Sequence, residues 1–289
     1  VEAGRDSVSS PVIVSGTPGD LSTFNMCVMD GLLFSTRFTT PQSIASCSLT
    51  NCAATLQPAV QAISDTVTVG PVCDSASQEI VWLTGSPTVT IHRATENGTN
   101  ARSITSVLLP DSDWAIANNA QRFSNGRADR MFYVDNNSTT QAGSLYYVST
   151  TAQNTSGVLV AMAPQEIVGA IISVLANDDT VLFNSGITTV LKAPLPNGVL
   201  SGTPPIFIDG QINAGVMDAS SFYGTIGNST TVPSDALVRC LSSGCSNPTV
   251  ISRGQAGANY FAQDATGIYW TVANTTSASG GFTVWKAAK

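Results

Sequence analysis

The chain has 289 residues and a formal net charge of −7, with 12 Lys and Arg against 19 Asp and Glu, so it carries no electrostatic footprint for nucleic acid or an anionic membrane. Charged residues make up only 11% of it, while Ser, Thr, Asn and Gly fill the spaces between apolar runs, giving the neutral, hydroxyl-rich surface common in extracellular β proteins. No run approaches the roughly 18 unbroken apolar residues that a membrane helix needs.

From the N-terminus, residues 1–10 read as a linker, compatible with a signal peptide or lipid-anchored tether upstream, and residues 11–289 as one repeat domain. Pro11-Val12-Ile13-Val14-Ser15-Gly16 is a close copy of Pro248-Thr249-Val250-Ile251-Ser252-Arg253-Gly254 near the other end. Between them, an apolar run with an aromatic third residue recurs at Phe34, Trp82, Tyr133, Phe183, Tyr223 and Trp270, a period of about 50 residues, close to that of propeller blades. A further strand follows each run, ending in Ser46-Cys47, Arg93-Ala94, Val148-Ser149, Lys192-Ala193, Arg239-Cys240 and Lys286-Ala287. A basic residue repeated in that column is expected to snorkel or to pair with a neighbouring repeat. The preceding strands end in Asp30, Asp74, Asp218 and Asp264, where an Asp side chain bonding its own turn is the expected chemistry.

The last unit, Tyr260 to Lys289, holds three strands and lacks a fourth of its own. The expectation is therefore an all-β, single six-bladed β-propeller of four-stranded blades, closed by the N-terminal strand joining the last blade. Val158 to Ala163 and Ile167 to Leu175 lack turn punctuation and are expected as strands within the repeat.

Six Cys occur, and Cys47/Cys52 and Cys240/Cys245 share the spacing Cys-x4-Cys. An even count with a repeated spacing favours disulfides and an oxidising compartment over a thiolate zinc site. Cys27 and Cys73 hold similar places in consecutive repeats, so a bridge between neighbours and two buried free thiols are the alternatives.

Tyr269-Trp270-Thr271 within Asp264-x-x-Gly-Ile-Tyr-Trp-Thr, then Val284-x-Lys-Ala, with Leu237-Val-Arg-Cys-x4-Cys-x-x-Pro248 in the preceding unit, resembles the secreted or lipid-anchored β-propeller proteins of myxobacteria and their relatives. The resemblance implies fold and export to a secreted, periplasmic or cell-surface location. It implies no activity and no catalytic residue.

Chemistry is sparse. The single histidine, His92, lies in a strand column filled elsewhere by apolar residues, so a structural role is expected rather than a nucleophilic triad. Phosphate-loop, zinc-protease and EF-hand motifs are missing from the sequence. Propeller topology places a ligand site over the channel mouth, in loops entering the first strand and joining the second to the third. The candidates there are Asp20, Arg37, Asp65, Asp111, Asp113, Trp114, Asp209, Gln211 and Tyr260. The leading functional expectation is an extracellular, non-enzymatic binding or scaffold protein without a cofactor, its partner another surface protein or a carbohydrate. A calcium-dependent, lactonase-like hydrolase drawing on Asp20, Asp65, Asp209 and Asn259 is the alternative, followed by a structural subunit of an extracellular filament.

Overall fold

The computed structural model describes residues 12–16, 21–37, 41–63, 67–85, 88–108, 122–123, 130–136, 143–151, 158–162, 171–177, 179–185, 189–195, 205–255, 257–273 and 282–289. In chain order, β1 (Val12–Gly16) precedes a first blade of β2 (Leu21–Met29), β3 (Leu32–Arg37), β4 (Gln42–Ser48), the one-turn helix α1 (Cys52–Thr55) and β5 (Gln57–Ile63). The second blade is β6 (Val67–Asp74), β7 (Glu79–Thr84), β8 (Thr88–Thr95) and β9 (Arg102–Leu108). The third unit is β10 (Arg122–Phe123), β11 (Arg130–Asn136), β12 (Gly143–Ser149) and β13 (Val158–Met162). The fourth is β14 (Ile171–Ala176), β15 (Thr180–Ser185), β16 (Thr189–Pro194) and β17 (Ile206–Asp209). The fifth is β18 (Gln211–Met217), β19 (Ser221–Gly227), β20 (Leu237–Leu241) and β21 (Gly244–Ser252), and the last comprises β22 (Ala258–Gln263), β23 (Gly267–Ala273) and β24 (Phe282–Ala288).

Each blade is an antiparallel meander in sequence order, and β1 occupies the outer edge of the last sheet in the order β1-β24-β23-β22. The inner strands β2, β6, β14, β18 and β22 run for six to nine residues, whereas β10 has only two, Arg122 and Phe123. The expectation of six four-stranded blades is corrected to five with full inner strands, since of the third sheet's inner strand only Arg122 and Phe123 are described.

The expectation that the N-terminal strand, by joining the last blade, closes the ring is corrected too: the strand pairs with β24, but the last blade meets the first through side chains. The seam between the last and first blades is a side-chain core of Met26, Val28, Leu33, Ala45 and Cys47 against Ala262, Tyr269, Phe282 and Val284. β1 adds backbone pairing to this seam, from Val12↔Lys286 to Gly16↔Thr283, with an irregularity between Ile13 and Ser15.

A blade apolar on both faces buries them only by stacking on its neighbours. Separate cores join the first and second blades around Phe34, Ile44, Ile80 and Trp82, and the third and fourth around Phe132, Leu145, Phe183 and Leu191. Others join the fourth and fifth around Leu182, Ile212 and Phe222, and the fifth and sixth around Val216, Tyr223, Ile268 and Trp270.

The aromatic column does not keep one register: Phe34 pairs with Ser46, in the basic column, and Tyr133 with Tyr146, two steps before it. Trp82 pairs with His92, Phe183 with Leu191 and Trp270 with Trp285, one step before the basic column. Tyr223 instead pairs with Arg239, so it matches Tyr269, which pairs with Lys286, and the place of Trp270 is taken in blade five by Gly224. A shift of one residue moves a side chain to the opposite face of a strand, so Tyr223 and Trp270 face opposite ways in their sheets.

All three disulfides are formed. Cys47–Cys52 fastens β4 to α1 and Cys240–Cys245 closes the β20–β21 hairpin, while Cys27–Cys73 joins the inner strands of neighbouring blades with a Cα separation of 5.5 Å. That last bridge spans 46 residues and lies in the core shared by the first two blades. Replacing both Cys27 and Cys73 by Ser should lower stability by about 2–4 kcal/mol, because closing a loop of this length restricts the unfolded chain. Urea denaturation of the variant against the oxidised protein measures it, and an unchanged midpoint would contradict the expectation.

Candidate functional site

Antiparallel meandering puts two kinds of connection at opposite ends of the blades. The turns from first to second strand form one face; the connections into each inner strand, and those from second to third strand, form the other.

On the first face, Asx turns repeat. Asp74 Oδ1 accepts from the backbone nitrogens of Ala76 and Ser77, Asp218 Oδ1 from those of Ser220 and Ser221, and Asp264 Oδ1 from those of Thr266 and Gly267. Asn177 serves the fourth blade in the same way for Asp179 and Thr180. The strand-end acids thus do the turn work expected of them, and the basic column lies over them. Lys286 Nζ sits 5.1 Å from the Tyr269 ring centroid, Arg239 lies over Tyr223, and Lys289 Nζ reaches Asp218 at 3.4 Å across the blade boundary.

The second blade turns this pattern into a buried ion network. Arg93, 2% exposed, pairs with Asp74, with Glu79 at 2.8 Å, and through Nη1 with the Thr150 hydroxyl of the third unit at 3.2 Å. Arg102 adds a second guanidinium on Glu79, and its hydrogen bonds, opposed by burial and reinforced by Arg93, hold the Glu79 carboxyl below its ordinary range. Both carboxylates are engaged with guanidinium groups, so the network ties blades together. Arg93→Met should destabilise by about 3–5 kcal/mol, since it leaves buried carboxylates short of their counter-charge. Differential scanning calorimetry checks this, and a loss below about 1 kcal/mol would be inconsistent with it.

His92 sits beside this network, stacked on Trp82 with ring centroids 5.3 Å apart. Its two ring nitrogens meet the hydroxyls of Thr84 at 2.8 Å and Ser103 at 3.2 Å.

The opposite face is the expected channel mouth. Asp20, Asp65, Asp111, Asp113 and Trp114 lie outside the described residues. The other four candidates fall on four consecutive blades, from the fourth round to the first. Asp209 and Gln211 flank Gly210 where the chain enters blade five, Tyr260 lies near the incoming end of β22 in the last blade, and Arg37 ends β3 in the first, in register with Leu21 and Ser43. Gly210 has φ +111°, and a Cβ there would meet the Gly227 carbonyl at 2.6 Å, so the tight entry into β18 depends on glycine.

Sequence reasoning missed the polar clamp that shapes this rim. Asp209 accepts from the Ser229 hydroxyl at 3.1 Å, the Thr230 nitrogen at 3.0 Å, the Thr230 hydroxyl at 2.6 Å and the Thr231 hydroxyl at 3.0 Å. The hydroxyl and amide of Thr230 come first among the causes that lower its pKa to about 2. At the far end of the same loop Asp235 accepts from the Gly254 nitrogen at 3.1 Å, and its carbonyl accepts from the Gln255 nitrogen at 2.8 Å. Gln255 then receives the buried Trp270 indole N–H at 2.8 Å. The signal for this lies in Ser229-Thr230-Thr231, but only folding shows which acid it meets.

Among the described residues no group of three or more His, Cys, Asp and Glu could hold a metal ion. Asp209 is engaged by its loop, and Asn259 Oδ1 accepts the Tyr260 nitrogen at 3.0 Å in another blade. These two donors do not form a calcium set.

No family model and no curated protein matches the chain. Solved structures do. An α-L-arabinofuranosidase of Fusarium graminearum in complex with an iminosugar inhibitor aligns over 98% of both chains with a TM-score of 0.62 at 10% identity. A second structure of that family's enzyme, with arabinobiose, gives 0.60 at 9% identity over the same share. The β-propeller domain of the trilobed protease of Pyrococcus furiosus, which has an open velcro topology, gives 0.50 at 11% identity over 94% of this chain and 82% of its own. One of two prolyl endopeptidases gives 0.51 at 6% identity, and this chain spans 42% of its length. At these identities the likeness shows a β-propeller fold and nothing more.

The clamp gives a pH prediction. With its folded pKa depressed below the ordinary value of 3.8, Asp209 contributes stability that is fully present above that value and is lost as pH falls towards about 2. Asp209→Ala should therefore melt lower than the wild type from pH 5 upward, and the gap should close between pH 4 and about 2. Thermal denaturation across that range would refute the clamp if the gap stayed constant.

Proposed function

We propose that this chain is an exported, non-enzymatic binding protein that presents its channel-mouth rim to a neutral, hydroxyl-bearing ligand, carbohydrate foremost. One observation carries the reading: the rim's described acids are built into its own loops. A general acid or base works best with a pKa near the operating pH, whereas Asp209 is held at about 2 by four hydrogen bonds. Such a carboxylate fixes the shape of a surface. Three disulfides support export to an oxidising compartment, and the low charge supports a neutral ligand.

No described helix is long and apolar enough to cross a membrane. Arabino-, cello- and chito-oligosaccharides are the ligands to try first, the arabinose series because propellers of matching length act on or bind it. Calorimetric titration should give dissociation constants in the micromolar to millimolar range, about −4 to −8 kcal/mol, with no shorter sugars formed on long incubation. Enzymatic release of product would overturn the non-enzymatic reading, and silence across all three series would overturn the carbohydrate reading.

A further inference from the structure

The inner strands share a feature that the repeat does not announce. Five of them carry a register irregularity, between Leu21 and Met26 on β2, Val67 and Val69 on β6, Ile171 and Val174 on β14, Ile212 and Ala214 on β18, and Asn259 and Phe261 on β22. All lie towards the incoming end, at the rim. A bulge leaves a residue out of the ladder and re-aims its side chain, which is why bulges gather at barrel rims and beside binding sites.

On the adjacent strands β18 and β22 the bulged residue is the third of the strand, Asn213 and Tyr260. Asn213 is exposed, and its amide lies over Gly227 so closely that a Cβ there would come within 2.7 Å of Oδ1. Glycine on β19 makes room for that amide.

Tyr260 has φ +36°. The other non-glycine residues with positive φ among the described residues are Asp30, Gln78, Asn100 and Asn228, polar residues in turns and bends. A bulky side chain inside a strand is a genuine outlier in this region, and such conformations persist where the surroundings over-determine them, often at ligand sites. Here the exposed Asn259 accepts the Tyr260 N–H through Oδ1, and its carbonyl accepts the Thr271 hydroxyl at 3.0 Å. The partly buried Tyr260 ring packs against the core joining the last and first blades. The aromatic side chain is thus fixed on two sides at the rim.

We propose that Tyr260 is the aromatic platform of a saccharide subsite, with the exposed amides of Asn259, its chain neighbour, and Asn213, at the same bulge position of the adjacent inner strand, as partners for sugar hydroxyls. A sugar ring offers a C–H face to an aromatic side chain and hydroxyls around its edge to amides, and recognition by an apolar surface with a few placed polar groups needs no charge. The subsite rests on the binding function proposed above and locates it on blades five and six.

The test uses the full chain, titrated with arabinotriose, cellotriose and chitotriose. Tyr260→Gly removes the ring while accepting the positive φ without strain; the melting temperature should fall modestly with the lost packing, and affinity read well below it should fall at least about tenfold, the equivalent of 1.4 kcal/mol. Tyr260→Phe should bind within about twofold of wild type. Should the glycine variant fail to fold, Asn213→Ala at its exposed position gives the reading instead, with affinity expected to fall about fivefold. Wild-type binding that survives in Tyr260→Gly, or in Asn213→Ala if that is the variant read, removes the subsite and leaves the binding function standing. A wild type that binds none of the three sugars removes both.

Discussion

No blade of this protein can bury itself. Each is a sheet only four strands wide with apolar side chains on both faces, and a lone meander of that kind would leave one face or the other in water. Its stability is borrowed from the blades on either side, through cores in which Phe34 and Trp82, Phe132 and Phe183, or Tyr223 and Trp270 come from adjacent sheets. The constraint is circular: removing one contact exposes two sheets. It explains why covalent and ionic ties accumulate at boundaries between blades, with Cys27–Cys73 between the first and second, Arg93 to Thr150 between the second and third, and Lys289 to Asp218 between the last and fifth.

The boundary between the second and third units carries a buried charge. Arg93 is almost wholly buried at this place, satisfied by two carboxylates and by the hydroxyls of Ser77 and Thr150. Buried charge stabilises only where every partner is present, so this network fixes the geometry of the boundary where it sits. Thr150, itself fully buried, acts as the receiving hydroxyl across the joint.

Much of this was legible in the sequence because it repeats. The aromatic runs, the basic column and the strand-end acids at Asp74, Asp218 and Asp264 each follow from chemistry local to one hairpin, and local chemistry is what periodicity reports. The one-residue offset at Tyr223 was hidden because an apolar run such as Phe222-Tyr223 reads the same in either register; only its pairing with Arg239 decides which face the ring takes. The rim was less legible still. Asp209 and Tyr260 could be placed there by topology, but the Ser229–Thr231 clamp joins residues about twenty apart in sequence, and bulges at Asn213 and Tyr260 have no composition of their own.

The two faces of the ring divide the polar work unequally. On the turn face the acids meet cations: Asp74 and Glu79 meet Arg93, and Asp218 meets Lys289. On the rim they meet mainly hydroxyls and backbone amides, as Asp209 does with Ser229, Thr230 and Thr231. A carboxylate neutralised by a guanidinium presents little field to solvent, and one hydrogen-bonded by neutral donors keeps its full negative charge at low pKa. The rim therefore keeps a fixed acid inside its loops while exposing amides such as Asn213 and Asn259. A surface of that kind discourages anionic ligands and meets hydroxyl groups on equal terms, as donor and as acceptor. The low share of charged residues in the whole chain, 11%, acts in the same direction as the local geometry.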